Sequence, residues 1–143
     1  MSVIALIFDT PMTHVLVVDD TAHVRELFRR FLQNEGMVVA LAADGERALA
    51  LARARTPDLV VSDLKMPQMD GVELCRALRG DRATAHVPIV IVTGQGRAQA
   101  RAAIEAGCDA VLEKPCSSAL LVATINILLA RRQRPIADPN EPA

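Results

Sequence analysis

Short apolar runs rich in Val, Ile and Leu alternate along the chain with segments of helical periodicity. The run at residues 59–61 is too short for a helix and carries no polar residue, which is typical of a strand buried on both faces of a sheet. Five such runs occur, at residues 15–18, 37–41, 59–63, 89–92 and 110–112. Because a helical pattern follows each run, we predict βαβ units with right-handed crossovers, and therefore a parallel sheet covered by helices on both faces.

The composition agrees with this α/β class. Of the 143 residues, 51% are hydrophobic and only 2% are aromatic, so the core must be aliphatic. An aliphatic core favours helices packed on a Val/Ile sheet over an aromatic-rich sandwich. The length fits one domain, which we predict at residues 13–132. Residues 1–12 are predicted to be an N-terminal extension, and residues 133–143, which include three prolines, a disordered C-terminal tail.

Charge and cysteine content narrow the functional class. The net charge of -1 offers no basic footprint for nucleic acid, and no apolar segment is long enough to span a bilayer. Residues 1–12 lack the basic region and cleavage pattern of a signal peptide. The three cysteines, Cys75, Cys108 and Cys116, are widely spaced, and we interpret them as free thiols in a reducing cytosol. We therefore expect a cytoplasmic protein that binds neither nucleic acid nor membrane.

Polar residues stand where the predicted strands end. Asp19 and Asp20 follow the first strand, Asp63 ends the third, Thr93 ends the fourth and Lys114 follows the fifth. Each has an ordinary explanation by itself, since a terminal Asp is often only a helix cap and Thr21, for example, can cap the first helix. The carboxyl ends of parallel strands share one edge of the sheet, however, and ligands bind at that edge in open α/β folds. We therefore predict one shared site.

The residue types indicate the chemistry of this site. Clustered carboxylates repel one another unless a cation joins them, and hard oxygen ligands suit Mg²⁺. A Lys ammonium and a Thr hydroxyl opposite the metal can neutralise the oxygens of a phosphoryl group, and a carboxylate can attack phosphorus to form an acyl phosphate. The sequence therefore predicts a site that accepts a phosphoryl group with the help of Mg²⁺.

This ordered set of motifs resembles the receiver domain of two-component response regulators, the CheY-like family. The resemblance covers about residues 15–130. It rests on Val17-Val18-Asp19-Asp20, Asp63 with Met66-Pro67 and Asp70-Gly71, Thr93-Gly94, Ala106-Gly107-Cys108-Asp109-Ala110, and Lys114-Pro115. It implies a doubly wound, five-stranded parallel sheet of the flavodoxin-like (βα)5 type, with strand order 2-1-3-4-5. Since only a short proline-containing segment follows, we expect a stand-alone, single-domain regulator.

The resemblance also implies how phosphorylation would occur. Asp63 would be the phosphoacceptor and would receive the phosphoryl group from a histidine kinase or a histidine phosphotransfer protein. The group would later be lost by hydrolysis, so the protein would be a phosphoacceptor with Mg²⁺-dependent self-phosphorylation and dephosphorylation rather than a classical enzyme. Asp20, Asp63 and the backbone carbonyl of Lys65 would ligate Mg²⁺, with Asp19 acting mainly through water.

The remaining motif residues would serve the phosphoryl group and the switch. Thr93 and Lys114 would each contact a phosphoryl oxygen, and Gly94 would leave room for the phosphodonor. Pro115 would follow a cis peptide bond. The chain departs from the family pattern at Val111, where an aromatic residue commonly rotates inward with the Thr, and at Lys65, a cation close to the phosphorylation site. An adaptor that keeps the fold but acts independently of phosphorylation is therefore the alternative.

The last predicted helix offers two apolar faces. One face is expected to join the core and consists of Leu121, Val122, Ile125, Leu128 and Leu129. Leu120 and Ile127 lie seven residues apart on another face, which is either partly buried against a neighbouring helix or a contact surface for a homodimer or an output protein. The helix is expected to begin at a cap formed by Ser117 or Ser118.

Overall fold

The structure, a computed structural model, describes residues 12–94 and 96–133, and within them five strands alternate with five helices. The strands are β1 (His14–Val18), β2 (Val38–Ala42), β3 (Leu59–Asp63), β4 (Ile89–Thr93) and β5 (Ala110–Glu113). The helices are α1 (Ala22–Asn34), α2 (Gly45–Ala54), α3 (Gly71–Gly80), α4 (Arg97–Glu105) and α5 (Ser118–Gln133). Each predicted element is present, with ends within about two residues of those expected from the pattern.

The five strands form one parallel sheet in the order β2-β1-β3-β4-β5, as predicted. The chain therefore winds outward in one direction from β1 to β2, and then in the other direction through β3, β4 and β5. The reversal occurs between β1 and β3, which is the place where open α/β sheets form a crevice beyond the carboxyl ends of their strands. The predicted site residues of β1 and β3 flank this crevice.

Helices cover both faces of the sheet, because successive strand residues point to opposite sides. In β1, Val15 and Val17 pack with the buried residues of α1 and α5, whereas Leu16 and Val18 pack with those of α2, α3 and α4. The central strands β3 and β4 are buried along their length up to Asp63, which explains their unbroken apolar runs. The edge strand β2 alternates between exposed and partly buried residues.

The helix starts agree with the predicted caps except at α1. Thr21 occupies the N-cap position of α1, but its side chain makes no capping hydrogen bond. The Thr21 carbonyl instead accepts from the amides of Val24 and Arg25, both at 3.1 Å. Ser117 caps α5, since its hydroxyl accepts from the Leu120 amide at 3.0 Å. Thr21 therefore holds the predicted cap position, but backbone hydrogen bonds rather than its side chain close the first turn.

Helix α5 presents the two predicted faces. Leu121, Ile125 and Leu128 are buried, and Val122 and Leu129 are partly buried against the same core. Leu120 is 50% exposed and Ile127 is 56% exposed, so partial burial against a neighbouring helix does not apply to either side chain within the described chain.

The structure also bears on the cysteines, the membrane question and the chain ends. Cys75 and Cys108 are buried and Cys116 is half-buried, and all three are free thiols.

None of the described helices combines the length and apolar character needed to cross a bilayer. Most of the predicted N-terminal extension and of the predicted C-terminal tail, residues 1–11 and 134–143, lies outside the described residues.

Candidate functional site

Three carboxylates meet at the carboxyl ends of β1 and β3. Asp19 and Asp20 follow β1 directly, and Asp63 is the last residue of β3. One carboxylate oxygen from each lies within 4.8 Å of the other two. Asp19 is buried, Asp63 is partly buried and Asp20 is exposed, so the cluster is open to solvent on the Asp20 side. The sequence prediction that these three side chains converge is confirmed by this geometry.

Asp19 is fixed inside the cluster by two side-chain contacts. Its Oδ1 accepts a hydrogen bond from the Thr21 amide at 2.9 Å, and its Oδ2 lies 3.4 Å from the Lys114 ammonium. Only 1% of the residue is exposed. A carboxylate this deeply buried requires such partners, because an isolated buried charge is costly. Asp19 is therefore the buried acid of the site, and both of its carboxylate oxygens are held by neighbouring groups.

Asp63 presents one oxygen to the backbone and one to a cation. Oδ1 accepts from the Leu64 amide at 2.8 Å, and Oδ2 lies 3.4 Å from the Lys114 ammonium. Burial raises the pKa of Asp63 above its ordinary value, Lys114 opposes that rise, and the neighbouring Asp19 charge adds to it. The carboxylate thus sits in a pocket where negative charge is disfavoured unless a cation compensates for it.

Lys114 reaches both Asp19 and Asp63 from the far side of β4. It follows β5, and its backbone amide donates to the carbonyl of Thr93 at 2.9 Å, which fixes the start of the loop against β4. The peptide bond between Lys114 and Pro115 is cis, as the family resemblance implies. The ammonium therefore lies between the first and third strand ends, although its backbone follows the fifth strand.

The loop that follows Asp63 depends on a glycine. A Cβ atom at Gly71 would lie 2.5 Å from the carbonyl oxygen of Asp63 and 2.9 Å from Cα of Leu64, and both are backbone atoms, which move aside less easily than the end of a flexible side chain. The Gly71 amide donates to the Leu64 carbonyl at 2.7 Å, which closes the loop. Asp70 caps α3 by accepting from the Glu73 amide at 2.8 Å. The Asp70-Gly71 pair thus anchors the backbone beside Asp63.

The other predicted site residues lie around this centre. Thr93 is buried at the end of β4, and Gly94 after it is exposed with nothing within 4 Å of a Cβ built on it. Lys65 is exposed, two residues past Asp63. Val111 is partly buried in β5, where it is paired in register with Ile91 and packs against the core beneath α2, α3 and α4.

The donor set fits a hard divalent cation. Three carboxylate oxygens within 4.8 Å of one another can ligate one ion, and oxygen ligands with an open, solvated side suit Mg²⁺, which retains several waters. Asp20 and Asp63 offer accessible oxygens, whereas Asp19 is already engaged with Thr21 and Lys114. A cation here would also relieve the repulsion among the carboxylates.

One contact at this site has no signal in the sequence. The guanidinium of Arg25 donates to the backbone carbonyl of Asp19 at 2.7 Å. Arg25 lies one turn into α1 and belongs to none of the sequence motifs. The contact depends on how α1 leaves β1, which local sequence patterns do not define.

Comparison with known proteins agrees with the fold. The family model of the response regulator receiver domain matches residues 15–126. Response regulator MprA of Mycobacterium sp. strain KMS is 43% identical over 90% of this chain and 55% of its own length. Transcriptional regulatory protein ResD of Bacillus subtilis is 38% identical over 85% of this chain and 50% of its own length. The chain thus spans about half the length of the curated relatives it matches.

Solved structures of receiver proteins have the same fold as this chain. The chemotaxis protein CheY4 of Vibrio cholerae superposes with a TM-score of 0.79 at 32% identity, covering 82% of this chain and 99% of that one. A CheY-like receiver domain protein of Methanospirillum hungatei superposes with a TM-score of 0.81 at 27% identity, covering 86% and 98%. With the family match over residues 15–126, the chain belongs to the response regulator receiver domains of two-component systems.

Proposed function

We propose that this receiver domain accepts a phosphoryl group on Asp63 and signals through the resulting change in protein contacts. The observation that carries the proposal is the position of the Lys114 ammonium, 3.4 Å from Oδ2 of Asp63 and 3.4 Å from Oδ2 of Asp19. A cation held between two acids can neutralise the negative charge of a phosphoryl group that binds to either of them. Asp63 is the more accessible of these two acids.

The transfer begins with attack by a carboxylate oxygen of Asp63 on phosphorus. The donor is a phosphohistidine of a kinase or a histidine phosphotransfer protein, so a P–O bond forms as the P–N bond breaks, and the electron pair returns to the imidazole, which takes up a proton. Lys114 pairs with one phosphoryl oxygen and the Thr93 hydroxyl donates to another. Gly94 supports this proposal because its exposed backbone leaves space for the donor side chain.

Asp20, Asp63 and the carbonyl of Lys65 are the proposed ligands of Mg²⁺, with Asp19 contributing through water. The metal, when bound, would supply positive charge that neutralises the negative charge on the oxygens of the transferred phosphoryl group. The raised pKa of Asp63 supports the need for such charge, since the carboxylate is disfavoured by burial and by Asp19. The three free thiols fit the reducing cytoplasm in which we propose that the domain acts.

A small phosphodonor tests the proposal without knowledge of the kinase. The full chain is incubated with acetyl phosphate or phosphoramidate, with Mg²⁺ or with a chelator, and its intact mass is recorded. We expect a gain of one phosphoryl group that requires Mg²⁺ and is absent from Asp63→Asn. A gain that persists in Asp63→Asn, or no Mg²⁺-dependent gain at all, would overturn the proposal.

The alternative, an adaptor that works without phosphorylation, is favoured by Val111. Its side chain packs in the core, so the aromatic rotation common in this family has no counterpart here. The alternative expects partner binding to be the same for the unaltered chain and for Asp63→Asn, with and without phosphodonor. The proposed function expects binding that changes on phosphorylation and does not change in Asp63→Asn.

The exposed Leu120 and Ile127 of α5 support a proposed contact with a second copy of the chain or with an output protein. Sedimentation velocity at high concentration, with and without phosphodonor, separates these two. A monomer under both conditions would discard the homodimer. Whether the regulator acts as a single domain stays a prediction, because the matched relatives are about twice as long.

A further inference from the structure

The three carboxylates of the site are held in different ways. Asp19 and Asp63 each have one oxygen on a backbone amide and one near the Lys114 ammonium. Within residues 12–94 and 96–133, no hydrogen bond or ion pair holds the exposed carboxylate of Asp20. Within the described residues, the position of this carboxylate is therefore restrained only through the backbone of Asp20.

The backbone of Asp20 is fixed through the peptide bond that precedes it. The carbonyl of Asp19 and the amide of Asp20 belong to one planar unit, so fixing that carbonyl fixes the plane from which the Asp20 side chain departs. The ladder of β1 ends at Val18, which is paired in register with Ala42 of β2 and Ser62 of β3. The Asp19 carbonyl thus lies beyond the last registered pair of the sheet, where another donor must satisfy it.

Arg25 is that donor. Its Nη1 donates to the Asp19 carbonyl at 2.7 Å, a short, charge-assisted hydrogen bond to a residue that is 1% exposed. The amide of Asp19 donates in turn to the Ala42 carbonyl at 3.2 Å, so the peptide units on both sides of Asp19 are anchored. Arg25 itself is only partly exposed, which limits the freedom of its guanidinium.

We propose that Arg25 is a positioning residue for the metal site, which acts by orienting the Asp19–Asp20 peptide and thereby the carboxylate of Asp20. The inference rests on the proposed function, because it takes Asp20 as a ligand of Mg²⁺. Groups that orient metal ligands without touching the metal typically change affinity by about 10- to 100-fold when they are removed.

The direction in which Mg²⁺ affinity changes when Arg25 is replaced distinguishes a positioning role from a purely electrostatic one. Removal of a positive charge close to a cation site strengthens metal binding, because one repulsive interaction is lost. Loss of the orientation of the Asp20 carboxylate instead weakens metal binding. Arg25→Ala therefore discriminates between the two roles, and Arg25→Lys, which keeps a cationic donor on a long side chain, tests for rescue.

Arg30→Ala is the matched control. Arg30 lies on the same helix and carries the same charge, but its side chain is 71% exposed and its ion pair is with Glu26 at 3.6 Å. Its removal changes the charge of α1 as Arg25→Ala does, and leaves the Asp19 carbonyl untouched.

The experiment titrates the full chain with Mg²⁺ alone and follows the backbone amide shifts of the β1–α1 turn by NMR, well below the unfolding temperature. We expect Arg25→Ala to weaken Mg²⁺ binding about tenfold, Arg25→Lys to recover most of the loss, and Arg30→Ala to bind as the unaltered chain does. Unchanged or tighter binding by Arg25→Ala, or equal weakening in Arg25→Ala and Arg30→Ala, would overturn the inference. Failure of the unaltered chain to bind Mg²⁺ would instead overturn the proposed function, and this inference with it.

Discussion

The ammonium of Lys114 lies 3.4 Å from Oδ2 of Asp63, although their strands, β5 and β3, are separated in the sheet by β4. The contact crosses the carboxyl end of β4, and the same ammonium spans the crevice between β1 and β3 by lying 3.4 Å from Oδ2 of Asp19. It places a fixed positive charge beside a carboxylate that burial would otherwise bias toward its neutral form.

Replacing Lys114 with Met should raise the pKa of Asp63 further. The Lys114 charge and its hydrogen bond both lower that pKa, so without them burial and the Asp19 charge act unopposed. A ¹³C NMR pH titration of the Asp63 carboxyl group in metal-free protein measures the change. Lys65→Met is the control for a general loss of charge and should give the smaller rise. A lower Asp63 pKa in Lys114→Met would contradict the electrostatic account of the site.

Asp63→Asn should stabilise the metal-free domain at neutral pH. Because the pKa of Asp63 is raised in the folded state, folded Asp63 retains a proton that the unfolded chain has lost. The free energy of unfolding therefore falls as pH rises from the ordinary value near 3.8 through the raised pKa, and the Asn variant lacks this loss. Urea unfolding of both chains across pH, with a chelator present, gives the difference. A variant no more stable than the unaltered chain at neutral pH would count against a raised pKa.

Gly71→Ala should destabilise the fold, because its Cβ would meet the carbonyl oxygen of Asp63 at 2.5 Å. Overpacking of this kind typically costs about 1–3 kcal/mol, and here the displaced atoms are backbone. Gly80→Ala in the same helix is the matched control, since nothing lies within 4 Å of its Cβ position. Urea unfolding should show a lower midpoint for Gly71→Ala and an unchanged or higher midpoint for Gly80→Ala. Equal midpoints would show that the loop after Asp63 yields easily.

Leu121→Ala and Leu120→Ala should differ widely in stability although the residues are neighbours. Leu121 is 0% exposed in the core between α1, α5 and the sheet, and burial losses of this type cost about 2–5 kcal/mol. Leu120 is 50% exposed, so its truncation should cost about 0.5 kcal/mol or less. Chemical unfolding of the two variants makes the comparison. A large loss for Leu120→Ala would mean that the residue is covered in solution, by a second copy for example.

Local sequence patterns were sufficient to predict the strands and the convergence of the site residues at one edge of the sheet. The unbroken runs of β3 and β4 follow from burial on both faces, and a parallel sheet then places Asp19, Asp63 and Lys114 at one edge. These statements depend on hydrophobic periodicity, which the sequence displays, and on a parallel strand direction, which follows from the alternation of strands with helices. The convergence of the carboxylates could therefore be predicted before any distance was known.

Contacts between distant elements could not be predicted in the same way. Arg25 bonds to Asp19 because α1 leaves β1 at a particular angle, and Gly71 is favoured because a Cβ there would lie 2.5 Å from the carbonyl oxygen of Asp63. Thr21 was expected to cap α1 from its residue type, but backbone hydrogen bonds occupy that turn. Each of these features depends on tertiary geometry that residue types alone do not encode.

The most direct test of the central claim locates the phosphoryl group at a single residue. The chain is phosphorylated with acetyl phosphate and Mg²⁺ and then treated with borohydride, which reduces an acyl phosphate to an alcohol as phosphate leaves. An aspartyl phosphate so treated becomes homoserine, which peptide mass spectrometry can place in the sequence. We predict homoserine at position 63 and unaltered Asp19 and Asp20. Homoserine at position 19 or 20, or none in a chain that has gained the mass of a phosphoryl group, would contradict the assignment of Asp63 as the phosphoacceptor.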